Sequence, residues 1–418
     1  MKKILLITYY WPPAGGSGVQ RWLNFSKYLV ELGWNITVLV PDNPSYPIID
    51  NSISKSISSS LEVIKVPIFE PVNILNRSNK KNRDHINSSG LFYKIILWIR
   101  SNLFFPDSRM FWISKVSKLA SSYVIKNNID CIITTAPPFS THVIGYNIKL
   151  KTNVKWITDF RDPWSDFFPF KQLPMSNIIK ERHLKWEQKC LTYCDTVLTT
   201  SPSLTKTYLK TNKNTHTVTN GYEALIKTVP TDKFVVLYTG VMKSVQNPQN
   251  LWIVLKELCM ENKDFSKDLL VDLIGDFDSS IVNDNYIKSL SSNIRFKGYL
   301  DVVNLKEQLK KAEVLLLSSV NLEGVNNIIP GKLFLYLSVK KPILAFSALD
   351  SDVENIINET KSGRVFDYSN KVELKKYILV LYNQFKAKHN SIDSIEIDKY
   401  SYKHLSKKLS DIIDKTIN

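Results

Sequence analysis

Short apolar runs alternate with helical patterns along almost the whole chain, and this alternation constrains the fold more than any other feature. Residues 3–10 form an apolar run that ends at Trp11-Pro12-Pro13, where proline interrupts a strand. A glycine-rich stretch follows, then apolar residues at helical spacing as far as Gly33, and a second apolar run at 36–40. Strand, loop, helix and strand in this order predict a βαβ unit and therefore a parallel sheet.

The same alternation predicts two domains. Later β-rich runs lie at 131–135, 156–160, 196–201 and 216–218. A second series of β-rich runs separated by helical patterns then begins, at 234–239, 269–274, 294–296, 314–318 and 342–345. We therefore expect two doubly wound, Rossmann-like α/β domains, residues 1–224 and 225–394, with the helical stretch 395–418 packing back on the first. Such sheets bind ligands beyond the carboxyl ends of their strands, and the cleft between two such domains is the default site.

Composition narrows the class of partner. The 418 residues include 55 Lys and Arg against 39 Asp and Glu, a net charge of +16, which favours a polyanion or an anionic surface. The four cysteines are too few and too scattered for a disulfide framework, so reduced thiols in the cytoplasm are expected. No apolar run reaches eighteen residues, which predicts that no helix spans a membrane.

The first candidate site is Ala14-Gly15-Gly16-Ser17-Gly18, between the first strand and the first helix. Glycines there allow backbone amides to approach an anion, and the helix start adds partial positive charge. The spacing is not the dinucleotide-binding one, so a phosphate site and a simple tight turn both remain open.

The second candidate site follows the run at 156–160. Asp159, Arg161 and Asp162 come at its carboxyl end, where α/β proteins place chemistry. Carboxylates there can orient a hydroxyl group or stabilise a cationic transition state, and an arginine can bind phosphate. The alternative is a structural turn held by ion pairs.

The third candidate site is the segment 323–336, which follows the run at 314–318 and contains Asn326, Asn327, Gly331 and Lys332. Pro330-Gly331-Lys332 at a helix start offers amides and an ammonium group to a diphosphate. The alternative is an ordinary proline-initiated helix with a solvated lysine.

The fourth feature is the segment 77–118, which contains nine basic residues, two acids and seven interleaved aromatic residues. Cationic and aromatic groups together suit an anionic membrane surface. They also suit nucleic acid, although no nucleic-acid motif supports that interpretation, and a core helix with a solvated basic face is the third alternative.

Six segments resemble, in the same order, segments of glycosyltransferase family 4. They are ITYYWPPAGGSGVQRWLNFSKYLVELGWNITVLVP, TTAPPFSTH, WITDFRDPW, NGYE, YTGVMKSVQNP and IPGKLFLYLSVKKPILA. The resemblance runs from residue 1 to about 368 and implies the GT-B fold, with two Rossmann-like domains facing a cleft. It also implies hexosyl transfer with retention at the anomeric carbon, without a metal or other cofactor. The expected donor is a nucleotide-sugar, in particular a UDP-sugar.

The resemblance also assigns roles to residues. Asp159, Arg161 and Asp162 would line the reaction centre. Lys243 and Lys332 would neutralise the leaving diphosphate, since a metal-free enzyme needs fixed cations there. The full set of donor-binding residues is expected to be Gly15, Gly16, Gly18, Lys243, Asn326, Asn327, Gly331 and Lys332.

Several of these segments resemble bacterial members that build surface polysaccharides. This implies a lipid-linked oligosaccharide acceptor, in capsule, O-antigen or exopolysaccharide synthesis, and no nucleic-acid partner. We expect a cytoplasmic protein bound peripherally to the inner face of the membrane through residues 77–118.

The chain departs from the family pattern at three positions. Asn327 and Leu335 stand where the family often has two glutamates, the second of which holds the ribose, and Gln246 stands in place of an arginine. A catalytically degenerate GT-B relative that scaffolds a polysaccharide assembly complex is therefore the alternative function. A nucleotide-sugar epimerase shares the architecture, but no typical set of histidine and glutamate residues supports it.

Overall fold

The computed structural model describes residues 2–70, 91–166, 170, 173–320, 328–388, 392 and 394–418. The chain forms two compact units, one of Met1–Thr219 with Leu405–Asn418 and one of Asn220–His404. The predicted Asn326 and Asn327, and residues 77–90 of the predicted membrane segment, lie outside the described residues.

The first unit is built on a seven-stranded sheet in the order β3-β2-β1-β4-β5-β6-β7, in which every pair of neighbours is parallel. Its strands are β1 Lys3–Ile7, β2 Asn35–Asp42, β3 Glu62–Pro67, β4 Cys131–Ala136, β5 Lys155–Phe160, β6 Thr196–Thr199 and β7 Thr215–Thr217. The order reverses between β1 and β4, which is a topological switch point of the kind where such sheets bind ligands.

Seven helices belong to the described part of this unit. They are α1 Ser17–Glu31, α2 Leu91–Leu103, α3 Met110–Asn127, α4 Ser140–Thr152, α5 Asn177–Tyr193, α6 Pro202–Tyr208 and the C-terminal α15 Tyr402–Ile417, which begins just before the boundary at Leu405. The central strands are buried on both faces, as their uninterrupted apolar runs require in a parallel sheet.

The second unit is built on a six-stranded sheet in the order β10-β9-β8-β11-β12-β13, again with all neighbours parallel. Its strands are β8 Phe234–Thr239, β9 Leu269–Ile274, β10 Ile294–Phe296, β11 Val314–Ser318, β12 Ile343–Phe346 and β13 Gly363–Phe366. Its described helices are α7 Gln249–Glu261, α8 Lys263–Asp268, α9 Ser279–Val282, α10 Asn285–Ser289, α11 Val302–Leu309, α12 Lys332–Leu337, α13 Asp352–Glu359 and α14 Lys371–Lys386.

The C-terminal helix α15 packs on the first unit, although it follows the second in the chain. Its apolar residues Leu409 and Ile413 are fully buried. Trp34 Nε1 donates to Ser410 Oγ at 2.9 Å, and the hydroxyls of Thr196 and Thr416 lie 2.7 Å apart. The last helix thereby completes the core of the first unit.

The predicted fold class, two doubly wound parallel α/β domains, is confirmed. The strands β8, β9, β10 and β11 coincide with the predicted runs. Two of the four edge strands of these sheets, β3 and β13, were not predicted. None of the helices in the described ranges is long and apolar enough to cross a membrane.

Candidate active site

The glycine-rich stretch joins β1 to α1 at the carboxyl edge of the first sheet. Gly15 N donates to Ile48 O at 2.9 Å, and Gly16, with φ +88°, precedes the first residue of α1. A side chain at Gly18 would put its Cβ 3.0 Å from Nη1 of Arg161. Glycine at position 18 therefore lets the guanidinium of Arg161 approach the loop closely, which links two predicted sites that are far apart in sequence.

Asp159 is the last polar residue of β5 and is fully buried. Its carboxylate accepts from Arg21 Nη2 at 2.7 Å, from Trp22 Nε1 at 2.6 Å and from Thr135 Oγ1 at 2.8 Å. Arg21 Nε also donates to both oxygens, and Arg21 Nη1 donates to Thr219 O at 2.8 Å. The donors around Asp159 thus all come from the protein itself.

The pKa of Asp159 agrees with the geometry of its ion pair with Arg21. Burial alone would raise the pKa of Asp159, but the charge and hydrogen bonds of Arg21, with those of Trp22 and Thr135, lower it. Asp159 is therefore a carboxylate that fixes Arg21, α1 and β4 at the carboxyl edge of the sheet. Sequence reasoning did not single out Arg21, which lies on the buried face of α1 with an exposure of 1%.

Arg161 follows β5 and is bonded to backbone carbonyls. Its Nη1 donates to Gly18 O at 2.8 Å, its Nε donates to Ala136 O at 3.2 Å, and its Nη2 donates to Pro137 O. The guanidinium also lies 5.8 Å from the ring centroid of Tyr10. Arg161 therefore fastens the glycine-rich loop to the loop that follows β4, and this bracing role leaves few of its donors for a ligand.

Asp162 differs from its two charged neighbours. It is half-buried, and its carboxylate accepts no hydrogen bond from any residue that the structure describes. Burial raises its pKa, and the neighbouring charge of Arg161 opposes that rise. Of the three predicted reaction-centre residues, Asp162 has the acid group that remains available to a substrate. Their catalytic roles stay predictions.

Lys332 opens α12 at the carboxyl edge of the second sheet. Its Nζ is buried and has no hydrogen-bond partner among the described residues. The ammonium lies 3.8 Å from the ring centroid of Tyr238, and burial lowers its pKa to about 7. The neighbouring Gly331 is the N-cap residue of this helix. A buried cation with no acceptor is a group that an anionic ligand would complete.

Lys243 lies beyond the end of β8, at the same edge as Lys332. It is exposed, with its Nζ 4.0 Å from Asp276 Oδ2. Its backbone N donates to Gln246 Oε1 at 3.0 Å, and Gln246 Nε2 donates to Ser318 O at 3.4 Å. Gln246, which the sequence resemblance matches to an arginine, thus holds the Lys243 turn on the end of β11.

A pocket opens beside this turn, at the carboxyl ends of β11 and β12. It is lined by Gln246, Ser319, Val320, Ile328, Pro330, Ser347 and Ala348. Ser319 Oγ is buried there without a hydrogen-bond partner in the described chain. The pocket and Lys332 place an apolar wall, a hydroxyl and a cation at one edge of the second sheet. As for metals, no group of three or more His, Cys, Asp or Glu residues in the described ranges has the arrangement of a binding site.

No protein-family model matches this chain, and no curated protein matches it. Solved structures do. Sucrose-phosphate synthase from Thermosynechococcus elongatus is 15% identical, with a TM-score of 0.63 and 99% of each chain covered. HepE from Anabaena in complex with UDP and glucose is 12% identical, with a TM-score of 0.62 over 99% of this chain and 100% of that one.

A third similar structure is WaaG, a glycosyltransferase involved in lipopolysaccharide biosynthesis. It is 12% identical, with a TM-score of 0.58 over 98% of this chain and 99% of that one. These similarities extend over nearly the full length of the chain and concern the fold, because the identities are low. Together with the two parallel-sheet units, they show that the chain has the GT-B fold of glycosyltransferases.

Proposed function

We propose that this chain is a retaining, metal-independent glycosyltransferase that moves a hexose from a nucleotide-sugar, expected to be a UDP-sugar, to a lipid-linked oligosaccharide. The observation that carries the proposal is Lys332, whose buried ammonium group at the carboxyl edge of the second sheet has no acceptor among the residues that the structure describes. A donor diphosphate supplies the acceptor atoms that this group lacks. The GT-B fold supports the same reaction class.

The proposed reaction forms one bond and breaks another on the same face of the sugar. The acceptor hydroxyl oxygen bonds to the anomeric carbon while the bond from that carbon to the diphosphate oxygen breaks. The hydroxyl proton passes to the departing diphosphate, so the charges balance. Lys332, with Lys243, stabilises the negative charge that develops on the leaving group. Asp162 is the group proposed to orient the acceptor hydroxyl.

The proposed setting is the cytoplasmic face of the membrane, in the synthesis of capsule, O-antigen or exopolysaccharide. This part rests on the resemblance of the sequence and on the basic, aromatic segment 77–118, which includes α2 and the beginning of α3. One of the structurally similar proteins, WaaG, is described as involved in lipopolysaccharide biosynthesis, which is in keeping with the proposal.

A thermal-shift screen against UDP, GDP and CMP, and then against their sugar conjugates, tests the proposal. A ligand that binds only the folded state raises the melting temperature, so one nucleotide class should stabilise the protein. Lys332→Met should lose this response, while the exposed Lys376→Met in the same unit serves as the matched control. A response unchanged in Lys332→Met would refute the assignment of the diphosphate site.

One observation favours the alternative function. Leu335 stands where the family often has a ribose-binding glutamate, and its side chain packs against the apolar cluster on one face of the second sheet. A leucine there supplies no acceptor for ribose hydroxyls. If a well-folded sample responds to none of the nucleotides and shows no transfer, the scaffold function replaces the enzyme.

A further inference from the structure

Three tyrosines gather at the carboxyl edge of the first sheet, where the neighbouring strands β1 and β2 end. The ring centroids of Tyr9 and Tyr10 lie 5.0 Å apart, and the ring of Tyr46 lies 5.7 Å from that of Tyr9 and 6.1 Å from that of Tyr10. Tyr9 is fully buried, whereas Tyr10 and Tyr46 are half-buried. This tyrosine cluster therefore has a buried base and two side chains that a ligand can reach.

Hydrogen bonds fix the side chain of Tyr46 in place. Its hydroxyl donates to Tyr9 O at 2.9 Å and accepts from the backbone amide of Trp11. The loop that carries Tyr46 is itself held to the glycine-rich stretch, since Gly15 N donates to Ile48 O at 2.9 Å. A ring that is fixed in this way loses little conformational entropy when a ligand binds against it.

An ion pair lies beside the buried ring of Tyr9. Glu70, which follows β3, accepts from the Tyr9 hydroxyl at 2.6 Å and from Ser45 N at 2.7 Å. Arg109, the N-cap residue of α3, places its Cζ 4.6 Å from the ring centroid of Tyr9 and its Nε 3.4 Å from Glu70 Oε1. Its Nη2 makes a long hydrogen bond of 3.5 Å to the Tyr9 hydroxyl. The guanidinium is therefore held near Glu70 without using its full donor capacity.

Two buried donors show that this group does more than support the fold. Buried polar groups that serve only the fold are hydrogen-bonded in the great majority of cases. Here Arg109 Nε and the indole Nε1 of Trp11, the residue after Tyr10, are buried without a hydrogen-bond partner in the ranges that the structure describes. A ligand with hydroxyl oxygens supplies acceptors of the kind that such donors lack, which favours a binding site over a packing contact.

The charges around Arg109 favour an uncharged ligand. Its guanidinium faces the carboxylate of Glu70, and its backbone N donates to Asp107 Oδ1 at 2.9 Å, so a second carboxylate lies close by. One cation beside two carboxylates gives the group no net positive charge. A phosphate or carboxylate in the ligand would therefore meet two like charges, whereas hydroxyl groups can accept from the guanidinium and donate to Glu70.

We propose that the tyrosine cluster, with Glu70 and Arg109, binds an uncharged pyranose ring, namely the sugar of the acceptor that receives the transferred hexose. One face of a pyranose consists of C–H groups with partial positive charge, which pack against the electron-rich face of an aromatic ring. Its hydroxyls both donate and accept, as the carboxylate and the guanidinium require. The inference rests on the proposed function and deepens it, because it gives the acceptor sugar a site and a chemical class.

The tyrosine cluster adjoins the residues proposed to act in transfer. The guanidinium of Arg161 lies 5.8 Å from the ring centroid of Tyr10, and a Cβ at Gly18 would come 3.5 Å from Tyr10 Cδ2. Asp162, which is proposed to orient the acceptor hydroxyl, follows Arg161 in the chain. A sugar bound against Tyr10 and Tyr46 would thus lie near the acid group proposed to orient its hydroxyl.

Saturation-transfer NMR on the full chain, without nucleotide, tests the proposal. The probes are the methyl pyranosides of glucose, galactose, mannose and N-acetylglucosamine. At least one should bind, with the strongest saturation on its ring C–H protons. The methyl glycoside of the corresponding uronic acid should bind about threefold or more weakly, because its carboxylate meets Glu70 and Asp107. Neither uridine nor inorganic phosphate should displace the bound pyranoside.

Variants at two positions locate the site. Tyr46→Leu removes the aromatic face and should weaken binding about fivefold or more, whereas Tyr46→Phe keeps the ring and should bind within about threefold of the wild type. Arg109→Lys keeps the charge and removes the planar fork, so it should also weaken binding. Tyr299→Leu, at a residue that is 53% exposed in the second unit, is the matched control and should bind as the wild type does. If Tyr46→Leu lowers the melting temperature, the comparison of Tyr46→Phe with Arg109→Lys decides.

Three results would overturn the inference. They are a wild type that binds none of the pyranosides, binding that survives both Tyr46→Leu and Arg109→Lys, and displacement of the pyranoside by uridine, which would make the cluster a nucleoside site. Pyranoside binding needs no nucleotide, so the two proposals fail separately. A nucleotide response without pyranoside binding refutes only this site, and pyranoside binding without a nucleotide response supports the site and refutes the transferase.

Discussion

Replacing Lys332 with methionine should stabilise the unliganded protein and abolish its response to a nucleoside diphosphate. The substitution keeps the length of the side chain and removes only the ammonium group. That group is buried without a hydrogen-bond acceptor in the described chain, so its charge costs folding energy. A lysine that served only the fold would show the opposite behaviour, since its loss would lower stability.

The size of the expected gain in stability follows from the pKa of Lys332. Burial lowers the pKa of Lys332 from the usual 10.5 to about 7, and 3.5 pKa units correspond to roughly 5 kcal/mol. The loss of this charge should therefore raise the melting temperature of a unit of this size by roughly 10 °C or more.

The difference in stability between the wild type and Lys332→Met should change with pH in one direction. Below pH 7 the amine is protonated in both the folded and unfolded states, so the wild type carries the full cost of the buried charge. Above pH 10.5 it is neutral in both states, and the cost disappears. Wild-type stability should thus rise relative to that of Lys332→Met between these two pH values.

Urea denaturation of both proteins at about pH 6 and about pH 9.5 measures this difference, and a thermal-shift titration with UDP measures the lost response. A Lys332→Met protein that is less stable than the wild type at the lower pH would refute the reasoning. So would a nucleotide response that the substitution leaves intact.

Three further results are expected. Arg21→Met should lower the free energy of unfolding, measured by urea denaturation, by about 3 to 5 kcal/mol, because it leaves the buried Asp159 carboxylate without its cation. A decrease below about 1 kcal/mol would contradict the structural role of the Arg21–Asp159 pair. Asp162→Asn should leave the melting temperature and the nucleotide response unchanged and lower the transfer rate about tenfold or more. An unchanged rate would mean that Asp162 takes no part in transfer. Tyr336→Phe should lower the free energy of unfolding by about 1 to 3 kcal/mol, because the Tyr336 hydroxyl accepts from Thr239 N at 2.9 Å inside the core. A variant as stable as the wild type would mean that this amide finds another partner.

The fold was accessible from sequence because central parallel strands are buried on both faces and appear as continuous apolar runs. β8, Phe234–Thr239, shows this pattern along its whole length. β3 and β13 do not. β3 contains Glu62 and Lys65 and lies at an edge of its sheet, and β13 begins with Gly363-Arg364 at an edge of the other. Edge strands have one unpaired side, so polar residues persist and the apolar signal weakens.

The candidate site was accessible only in part. The end of β5 indicated where charged residues gather, but not what each one does. Arg21 and Asp159 are 138 residues apart, and no local pattern pairs them. Nor does the sequence around Lys332 reveal that its ammonium is buried without a partner in the described ranges, because that depends on its position beside the ring of Tyr238 on β8.

The return of α15 to the first unit has a consequence for biosynthesis. The chain passes between the two units twice, after Thr219 and after His404. The first unit therefore lacks Ser410 and Thr416, the partners of Trp34 and Thr196 in α15, until that helix has left the ribosome. The second unit is continuous in sequence and is complete in the nascent chain before the first, so the half of the protein that is translated first must finish folding last.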